Sequence, residues 1–459
     1  MAQPLDIISD LMALTSHSNT RNIILIAVES KGTFDENILK MAVDKAATVF
    51  PNYKSVLREI HVGWRFHLSR EHRPDIEIPI FISKLPSSSN FPTSFDAIVS
   101  HLTPRFDSQW DFWESPPLEV HVLGIGDNHR VLAFIAHHVG GDAAMALKVV
   151  SEVLGQYHAI ASGETPPWTS SRYVLSTSRK RASRPSKSGW KGFWAQLRRD
   201  LAYRKRQPEK PVGKGYKNDL REWHVKKVLS VDDTDRILRS FSNEEVHVVD
   251  HLVACTNTSL DRWNADRQAP PGFISSVVTV NMRERFGGAE EQNYSSAIFF
   301  NSGPEQRRDY VEFVHSLARA RHKQFSRQLD LNLRKSIARG AKFFSLFPLG
   351  IRRRAASMFM NYQQYSVAVG YLGVVWPECT DEKMGPDSCL VKLGDAEVTD
   401  VHGTGYKLAG NAHINLYAYI YRRQMHLVVS SAARLLTKEE CDRFADVFLN
   451  SVFTAAGLP

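Results

Sequence analysis

The sequence predicts a mixed α+β protein of two halves of similar size, and three observations support this prediction. The chain has 459 residues, more than the roughly 250–300 at which one hydrophobic core stops growing. Apolar runs typical of strands alternate along the chain with segments of helical periodicity. Near the middle the composition shifts to Ser, Pro, Gly, Lys and Arg, which is typical of a connection. We therefore divide the chain into residues 1–165, a connecting segment over 166–218, and residues 219–459.

The elements of the N-terminal half follow from apolar periodicity and turn residues. The run at 22–29 is continuous and apolar, and a helix with apolar residues three and four apart ends at Pro51. The turn Gly124-Ile-Gly-Asp-Asn128 between two apolar runs predicts a hairpin. The predicted strands are 22–29, 63–68, 118–123 and 130–137, and the predicted helices are 35–50 and 143–157.

The C-terminal half shows the same alternation. Its last helix has the clearest beginning, because Thr437 and Glu440 have the spacing of a capping box. A hairpin around Arg422 and Arg423 comes before it. The predicted strands are 222–229, 273–282, 414–421 and 426–430, and the predicted helices are 232–241, 247–263, 307–328, 331–360 and the helix after Thr437.

Cysteine usage and hydropathy exclude several classes of protein. The four cysteines are far apart and form no CxxC pair, which argues against a structural zinc site and a disulfide scaffold and favours a reducing compartment. The first residues have no cation before their apolar stretch, so they do not resemble a signal peptide. No run of about 18 apolar residues is present. We expect a cytoplasmic protein, soluble or at most peripheral to a membrane.

The positive charge is concentrated in one segment. The chain has a formal net charge of +9, and residues 178–210 alone carry twelve basic and two acidic residues. The rest of the protein is therefore close to neutral, so the net charge does not indicate a nucleic-acid-binding protein.

Two basic segments also contain aromatic residues. One has Trp190, Trp194, Leu197 and Leu201 on a single helical stripe among cations, and the other spans 334–354 with Phe343, Phe344, Leu346 and Phe347 among seven basic residues and no acid. Such a pattern fits peripheral contact with an anionic membrane. A charge run is more often a solvated face, and the aromatic residues then cover the junction between the halves.

The motif His137-His138-Val139-Gly140-Gly141-Asp142 follows an apolar strand and precedes a helix. Adjacent side chains of a strand point to opposite faces, so one histidine is expected to face a cleft while the other packs. The same geometry argues against a metal site, because tandem histidines do not easily reach one ion. Structural histidines and a helix N-cap at Asp142 are the alternative interpretation.

In this context the motif resembles that of the HHxxxD acyltransferases related to chloramphenicol acetyltransferase, which include the condensation domains of nonribosomal peptide synthetases and the wax ester synthases. The resemblance covers most of the chain, since Val49-Phe-Pro51, Pro116-Pro117-Leu118 and Val280-Asn281-Met282-Arg283 fall in the expected order. It implies a pseudo-dimer of two acetyltransferase-like subdomains, each an α/β two-layer sandwich, with the motif in a central tunnel. A DFGWG motif of the plant branch and an SNVPGP-like segment of the wax ester synthases are absent, and Ala143 replaces a frequent Gly. A free-standing condensation-like protein is the nearest fit.

The resemblance also implies roles for residues. His138 would be the general base with His137 as its neighbour, and Asp142 would pair with Arg283 and hold the loop. An imidazole with a pKa near 6.5 suits proton removal from a hydroxyl or amine at neutral pH. Candidates for substrate binding, including stabilisation of a tetrahedral oxyanion, are the Gly141 N–H, the Ser366 hydroxyl and Asn281.

Two functions are compatible with this pattern. The first is an acyltransferase that moves an acyl group from a thioester, either acyl-CoA or an acyl carrier protein supplied in trans, directly to a small-molecule or lipid acceptor. A cationic tunnel mouth would attract either donor. The second is a catalytically silent domain that recruits a carrier protein or another partner, but the intact His138 favours catalysis. We expect a monomer with no metal, no permanently bound cofactor and no nucleic-acid partner.

Overall fold

The structure is a computed structural model, and it describes residues 3–16, 20–85, 94–125, 128–163, 207–241, 245–283, 293–362, 364–375, 392–406 and 412–458. Cys379, Cys389, the aromatic stripe at 190–201 and most of the connecting segment lie outside these residues. The other two cysteines, Cys255 and Cys441, are buried free thiols. Among the described helices, none combines the length and apolar character needed to span a bilayer.

The N-terminal lobe is a sheet covered by helices. Its elements are β1 (Gln3–Pro4), α1 (Ile7–Thr15), β2 (Ile23–Lys31), α2 (Glu36–Val49), β3 (Ser55–Val62), β4 (Arg65–His72), β5 (Ile80–Lys84), α3 (Ser94–Asp107), β6 (Leu118–Gly124), β7 (His129–His137) and α4 (Ala143–Ser162). Strands β2, β7, β6 and β5 lie side by side, and β1, β4 and β3 form a separate small sheet. Helices α2 and α4 pack together over the larger sheet, where Leu39, Ala42 and Val153 are fully buried.

Local sequence explains where these elements begin and end. The Asp35 carboxylate accepts hydrogen bonds from two amides of the first turn of α2, and α2 ends just before Pro51. The predicted hairpin is formed by β6 and β7 in antiparallel register. The predicted strand at 63–68 is the start of β4 in a second hairpin, whose partner β3 the sequence analysis missed. Gly63 forms the turn with a φ of 59°, a conformation that favours glycine.

The C-terminal lobe has the same construction. The elements of this half of the chain are β8 (Glu222–Val228), α5 (Val231–Phe241), α6 (Val248–Ala265), β9 (Ile274–Asn281), β10 (Ser295–Ser302), α7 (Tyr310–Ser326), α8 (Leu329–Phe344), α9 (Leu349–Tyr362), β11 (Tyr365–Val374), β12 (Lys392–Leu393), β13 (Ala396–Tyr406), β14 (Ala412–Tyr421), β15 (Gln424–Ala432) and α10 (Lys438–Ala455). The sheet order is β10-β9-β11-β14-β15-β8. Helices α6 and α10 cover one face, where the rings of Trp263 and Phe444 are in edge contact.

Two predictions for this lobe can be compared with the structure. The capping box at Thr437 and Glu440 is confirmed, since each side chain accepts a hydrogen bond from the other's backbone N–H. The single helix predicted over 331–360 is instead two helices, α8 and α9, separated by residues 345–348. Pro348 explains the break, because proline cannot donate the hydrogen bond that a continuous helix needs.

Two consecutive strands, β12 and β13, cross from the C-terminal half into the N-terminal sheet. Strand β13 pairs antiparallel with β2, with Tyr406 opposite Ile23, so the N-terminal sheet has the order β12-β13-β2-β7-β6-β5. Residues 392–406, which the sequence analysis placed in the C-terminal half, therefore belong to the N-terminal sheet. The physical reason is the burial of β2, whose first eight residues are all buried and whose edge needs a hydrogen-bonding partner.

The uncovered face of the C-terminal sheet meets β13 through a buried polar network. The Lys226 ammonium donates to an Asp400 carboxylate oxygen and to Nδ1 of His402, each over 2.8 Å. Nε2 of His402 lies 2.6 Å from an oxygen of Glu29 in β2. The network joins both lobes. Burial of these charged groups is tolerated because each has a hydrogen-bond partner, and the loss of one partner would be costly.

This interface predicts that acid destabilises the protein. His224 and His426 lie buried on the same face, and burial lowers the pKa of each from 6.5 to about 3. The unfolded chain binds protons near pH 6.5 whereas the folded chain resists them, so the stabilisation is complete above pH 6.5 and is lost as the pH falls towards 3. We expect a loss on the order of 1–2 kcal/mol per histidine at pH 5.

Urea denaturation between pH 7 and pH 5 measures this loss. A His224→Gln/His426→Gln variant should show a shallower dependence of unfolding free energy on pH, while His61→Gln, at an exposed position, should keep the wild-type dependence. An equal dependence in all three proteins would contradict the prediction.

Candidate active site

The HHxxxD motif forms a tight turn between β7 and α4. The His138 N–H donates to the Asn22 carbonyl over 2.9 Å, and the Gly140 N–H donates back to the His137 carbonyl over 2.8 Å. Asp142 is the N-cap of α4, because its Oδ1 accepts the Met145 N–H over 3.0 Å. Asp142 therefore has the structural role expected of a helix N-cap. The same carboxylate also bonds to the other lobe.

Close packing explains the two glycines of the motif. A Cβ atom at Gly140 would lie 2.6 Å from the Tyr53 ring, and one at Gly141 would lie 2.7 Å from the Met145 side chain. Tyr53 is fully buried, and its hydroxyl has no hydrogen-bond partner among the described residues. Burial raises the Tyr53 pKa well above its ordinary value, so the ring is a neutral support beneath the turn.

An arginine that the sequence analysis missed also holds the turn. Arg70 of β4 donates to the Val139 carbonyl over 2.7 Å and to Oδ1 of Asn52 over 2.8 Å. Its guanidinium thereby ties the middle of the motif to the segment that carries Tyr53. No local sequence pattern distinguishes Arg70 from the other arginines of the chain.

His137 is the packed member of the pair. It is fully buried, its Nδ1 accepts the Val139 N–H over 3.0 Å, and its Nε2 lies 2.9 Å from the Ser16 hydroxyl. Because Nδ1 is an acceptor, the neutral ring carries its proton on Nε2 and donates to Ser16. The Phe112 ring makes an edge contact with it. Both ring nitrogens are thus used within the protein.

His138 is placed differently. Only 8% of its surface is exposed, and no described residue makes a hydrogen bond to its Nε2. Its Nδ1 lies 3.5 Å from the Asn293 amide nitrogen, which is too long to fix the tautomer. Burial lowers the His138 pKa from 6.5 to about 4, against the opposing charges of Asp142 and Asp6. The imidazole is therefore neutral at pH 7, with one nitrogen available to a substrate.

The Asp142 carboxylate joins the two lobes beside this ring. Besides the Met145 N–H, its Oδ1 accepts an Arg283 N–H over 2.7 Å, and its Oδ2 accepts the Tyr294 N–H over 2.9 Å. Arg283 and Tyr294 belong to the C-terminal lobe, and the side chains of Asp142 and Arg283 are both buried. The pairing that the family resemblance implied for these residues is thus present in the structure.

The three substrate-binding candidates have different surroundings. The Asn281 Oδ1 accepts hydrogen bonds from the backbone N–H and the guanidinium of Arg283, and the residue is exposed, so it supports the ion pair and stays a candidate for substrate binding. The fully buried Ser366 hydroxyl accepts the Ser275 N–H between two strands, and no described contact joins it to the motif. The Gly141 N–H has no partner among the described residues and stays a candidate oxyanion donor.

Asn293 was not predicted, although its side-chain amide nitrogen lies 3.5 Å from Nδ1 of His138 and donates to the His138 carbonyl over 3.4 Å. Its backbone carbonyl accepts an N–H of Arg334 in α8 over 2.9 Å, and its Oδ1 accepts the Ser295 hydroxyl over 2.5 Å. These bonds turn its amide NH₂ towards His138. Within the described part of the chain, no group of three or more His, Cys, Asp and Glu is placed to hold a metal ion.

Solved structures with the same architecture exist. The starter condensation domain of rhizomide synthetase superposes with a TM-score of 0.64 at 11% identity, over 99% of this chain and 94% of that one. The first condensation domain of the calcium-dependent antibiotic synthetase gives 0.64 at 13% identity, over 99% and 96%. The epimerization domain of the third module of tyrocidine synthetase B gives 0.62 at 11% identity, over 100% and 98%.

The chain has the condensation-domain fold. Its two lobes are the two acetyltransferase-like subdomains that the HHxxxD motif led us to expect, so the resemblance is confirmed at the level of the fold. No protein-family model and no curated protein matches the sequence. In this fold the motif of our chain lies where the two lobes meet, with Asp142 and Arg283 supplied by different lobes.

The Asp142–Arg283 pair predicts a characteristic stability pattern. Asp142→Ala leaves the buried Arg283 guanidinium without its carboxylate, and Arg283→Met leaves the buried Asp142 carboxylate without its guanidinium. Each variant should therefore lose about 3–5 kcal/mol of unfolding free energy. The double variant should cost clearly less than the sum. Chemical denaturation of the four proteins gives the coupling energy, expected at about 1–3 kcal/mol, and a coupling near zero would show that the pair is not formed.

Proposed function

We propose that the protein is an acyltransferase that uses His138 as a general base to move an acyl group from a thioester to a hydroxyl or amine. The observation that carries the proposal is the neutral imidazole of His138 beside the inter-lobe Asp142–Arg283 pair, with no hydrogen bond to Nε2 from any described residue. A neutral ring with an open nitrogen can accept a proton from a substrate held between the lobes. Burial makes this ring a weaker base than an ordinary imidazole and a stronger acid once it is protonated.

The proposed reaction needs no covalent intermediate on the protein. The acceptor oxygen or nitrogen attacks the thioester carbonyl carbon while His138 takes its proton, and a tetrahedral oxyanion results. The carbon–sulfur bond then breaks, and the departing thiolate takes the proton back from the imidazolium. A pKa of about 4 favours this return, and we propose the Gly141 N–H as a donor to the oxyanion.

Support for a thioester donor comes from a neighbour of the same fold. The rhizomide synthetase domain was crystallised with C8-CoA and Leu-SNAC. By this analogy we propose acyl-CoA, or an acyl carrier protein in trans, as the donor, and a small molecule or a lipid as the acceptor. An epimerization domain has the fold too, so the reaction is argued from the site and not from the fold alone.

Replacement of His138 tests the proposal. Purified protein is incubated with acyl-CoA and acyl-carrier thioesters and a panel of alcohols and amines, and products are identified by mass spectrometry. His138→Ala should lower the rate of transfer by about 10²–10⁴-fold without loss of the fold by circular dichroism, and His61→Ala is the matched control on an exposed histidine.

Two outcomes would contradict this proposal. One is a folded His138→Ala variant that transfers acyl groups at the wild-type rate. The other is wild-type protein that turns over no donor in the panel yet binds a carrier protein tightly, which would identify a silent recruitment domain.

The pH dependence of the reaction follows from the His138 environment. Because the neutral ring is the active form and its pKa is lowered to about 4, kcat/KM should stay constant between pH 8 and pH 5, where an ordinary histidine would already be largely protonated. Asn293→Asp puts a carboxylate near Nδ1 and should move the acidic limb to higher pH. A wild-type midpoint at or above pH 6.5 would contradict the account.

A further inference from the structure

Two segments far apart in sequence meet at one corner of the molecule. The tip of the β3–β4 hairpin lies against the connection between α8 and α9, since the Phe66 N–H donates to the Ser345 carbonyl over 2.7 Å. The Arg65 guanidinium donates to the Lys342 carbonyl over 3.4 Å. These bonds hold the hairpin tip and the helix connection together as one surface.

This surface is apolar and exposed to solvent. Trp64 at the hairpin tip is 92% exposed and Phe343 is 58% exposed. Together with the exposed side chains of Val62, Phe344 and Leu346 they form what we call the hairpin–helix patch. Isolated exposed apolar residues are ordinary, but a cluster with two kinds of aromatic ring marks an interaction surface.

The two segments that form the patch carry basic residues and no acidic ones. Seven basic residues and no acidic one lie between positions 334 and 354, and the hairpin tip over 60–66 carries no acid either. Arg352 is occupied inside the protein by Asp10, whereas Arg339, Lys342 and Arg354 are exposed. Partial burial and the neighbouring charge of Arg339 lower the Lys335 pKa, as expected in a positive field.

We propose that the hairpin–helix patch binds the surface of an anionic lipid membrane. Tryptophan and phenylalanine side chains partition into the headgroup region, and adjacent lysine and arginine side chains attract anionic headgroups. Trp64 stands almost clear of the protein, and such a side chain enters a fluid interface without a matching pocket. Aromatic anchors at protein interfaces instead fill well-packed pockets.

The patch and the candidate active site share a helix. Arg334 in the first part of α8 holds the carbonyl of Asn293 beside His138, and Phe343 follows nine residues later, ~14 Å along the helix axis. If the proposed acyltransferase function holds, a membrane-borne acceptor would lie within a few helical turns of His138. Membrane binding itself does not depend on that function.

Cosedimentation with vesicles tests the proposal on the full chain. The protein should bind mixed phosphatidylcholine/phosphatidylserine vesicles and not pure phosphatidylcholine, with binding weakened by salt. Trp64→Ala/Phe343→Ala/Leu346→Ala should weaken binding at least about tenfold, and Lys342→Glu about fivefold or more. The matched control is Val311→Ala/Lys323→Glu on α7, where both residues are exposed, and it should bind like the wild type.

Sedimentation does not require turnover, so its outcome is separate from that of the acyl-transfer assay. Failure of the folded wild type to bind mixed vesicles would overturn the proposal. Equal binding by the triple variant and the wild type would overturn it as well, and so would binding of an acidic carrier protein through the patch in the absence of any vesicle binding, which would reassign the surface to a protein partner.

Discussion

The carboxylate of Asp142 is the contact on which the candidate site depends. It accepts an N–H from Met145 in its own lobe and from Arg283 and Tyr294 in the other lobe. A buried carboxylate is costly unless it is fully bonded, so the two lobes must meet in this one arrangement for it to be satisfied. His138 is four residues away in the same turn, and Asn293 is next to Tyr294. The bonds that satisfy Asp142 therefore also place the imidazole in the seam between the lobes.

The rest of the seam supports this arrangement. Strand β13 carries the chain from one lobe into the sheet of the other, and Lys226, His402 and Glu29 form a continuous polar connection across the same interface. Neither feature would survive a sliding motion of one lobe over the other. Burial between the lobes keeps His138, His224 and His426 neutral at pH 7. Protonation of these rings below about pH 5 would therefore affect both the stability of the interface and the chemistry that we propose for His138.

Sequence reasoning predicts the parts that local pattern encodes. Periodicity is sufficient for β2, α4 and the β6–β7 hairpin, and the motif with its family resemblance is sufficient for the Asp142–Arg283 pair. Sequence reasoning does not predict that β13 joins the N-terminal sheet, because pairing between distant strands leaves no local pattern. Tyr53, Arg70 and Asn293 were missed for the same reason, although the paired glycines at 140 and 141 did indicate that something packs closely on the turn. Ser366 and Asn281 stay predictions: each side-chain oxygen accepts a hydrogen bond within the protein, from Ser275 and from Arg283 respectively.

Hydrogen exchange tests the central claim most directly, because Asp142 bonds to two individual backbone amides in different lobes. In the wild type the Met145 and Tyr294 amides should be protected. In a folded Asp142→Ala variant both should exchange much faster, by a factor of at least about ten, while amides of β7 keep their protection. Rapid exchange of the Tyr294 amide in the wild type, or unchanged protection of that amide in Asp142→Ala, would contradict the view that this carboxylate holds the lobes together.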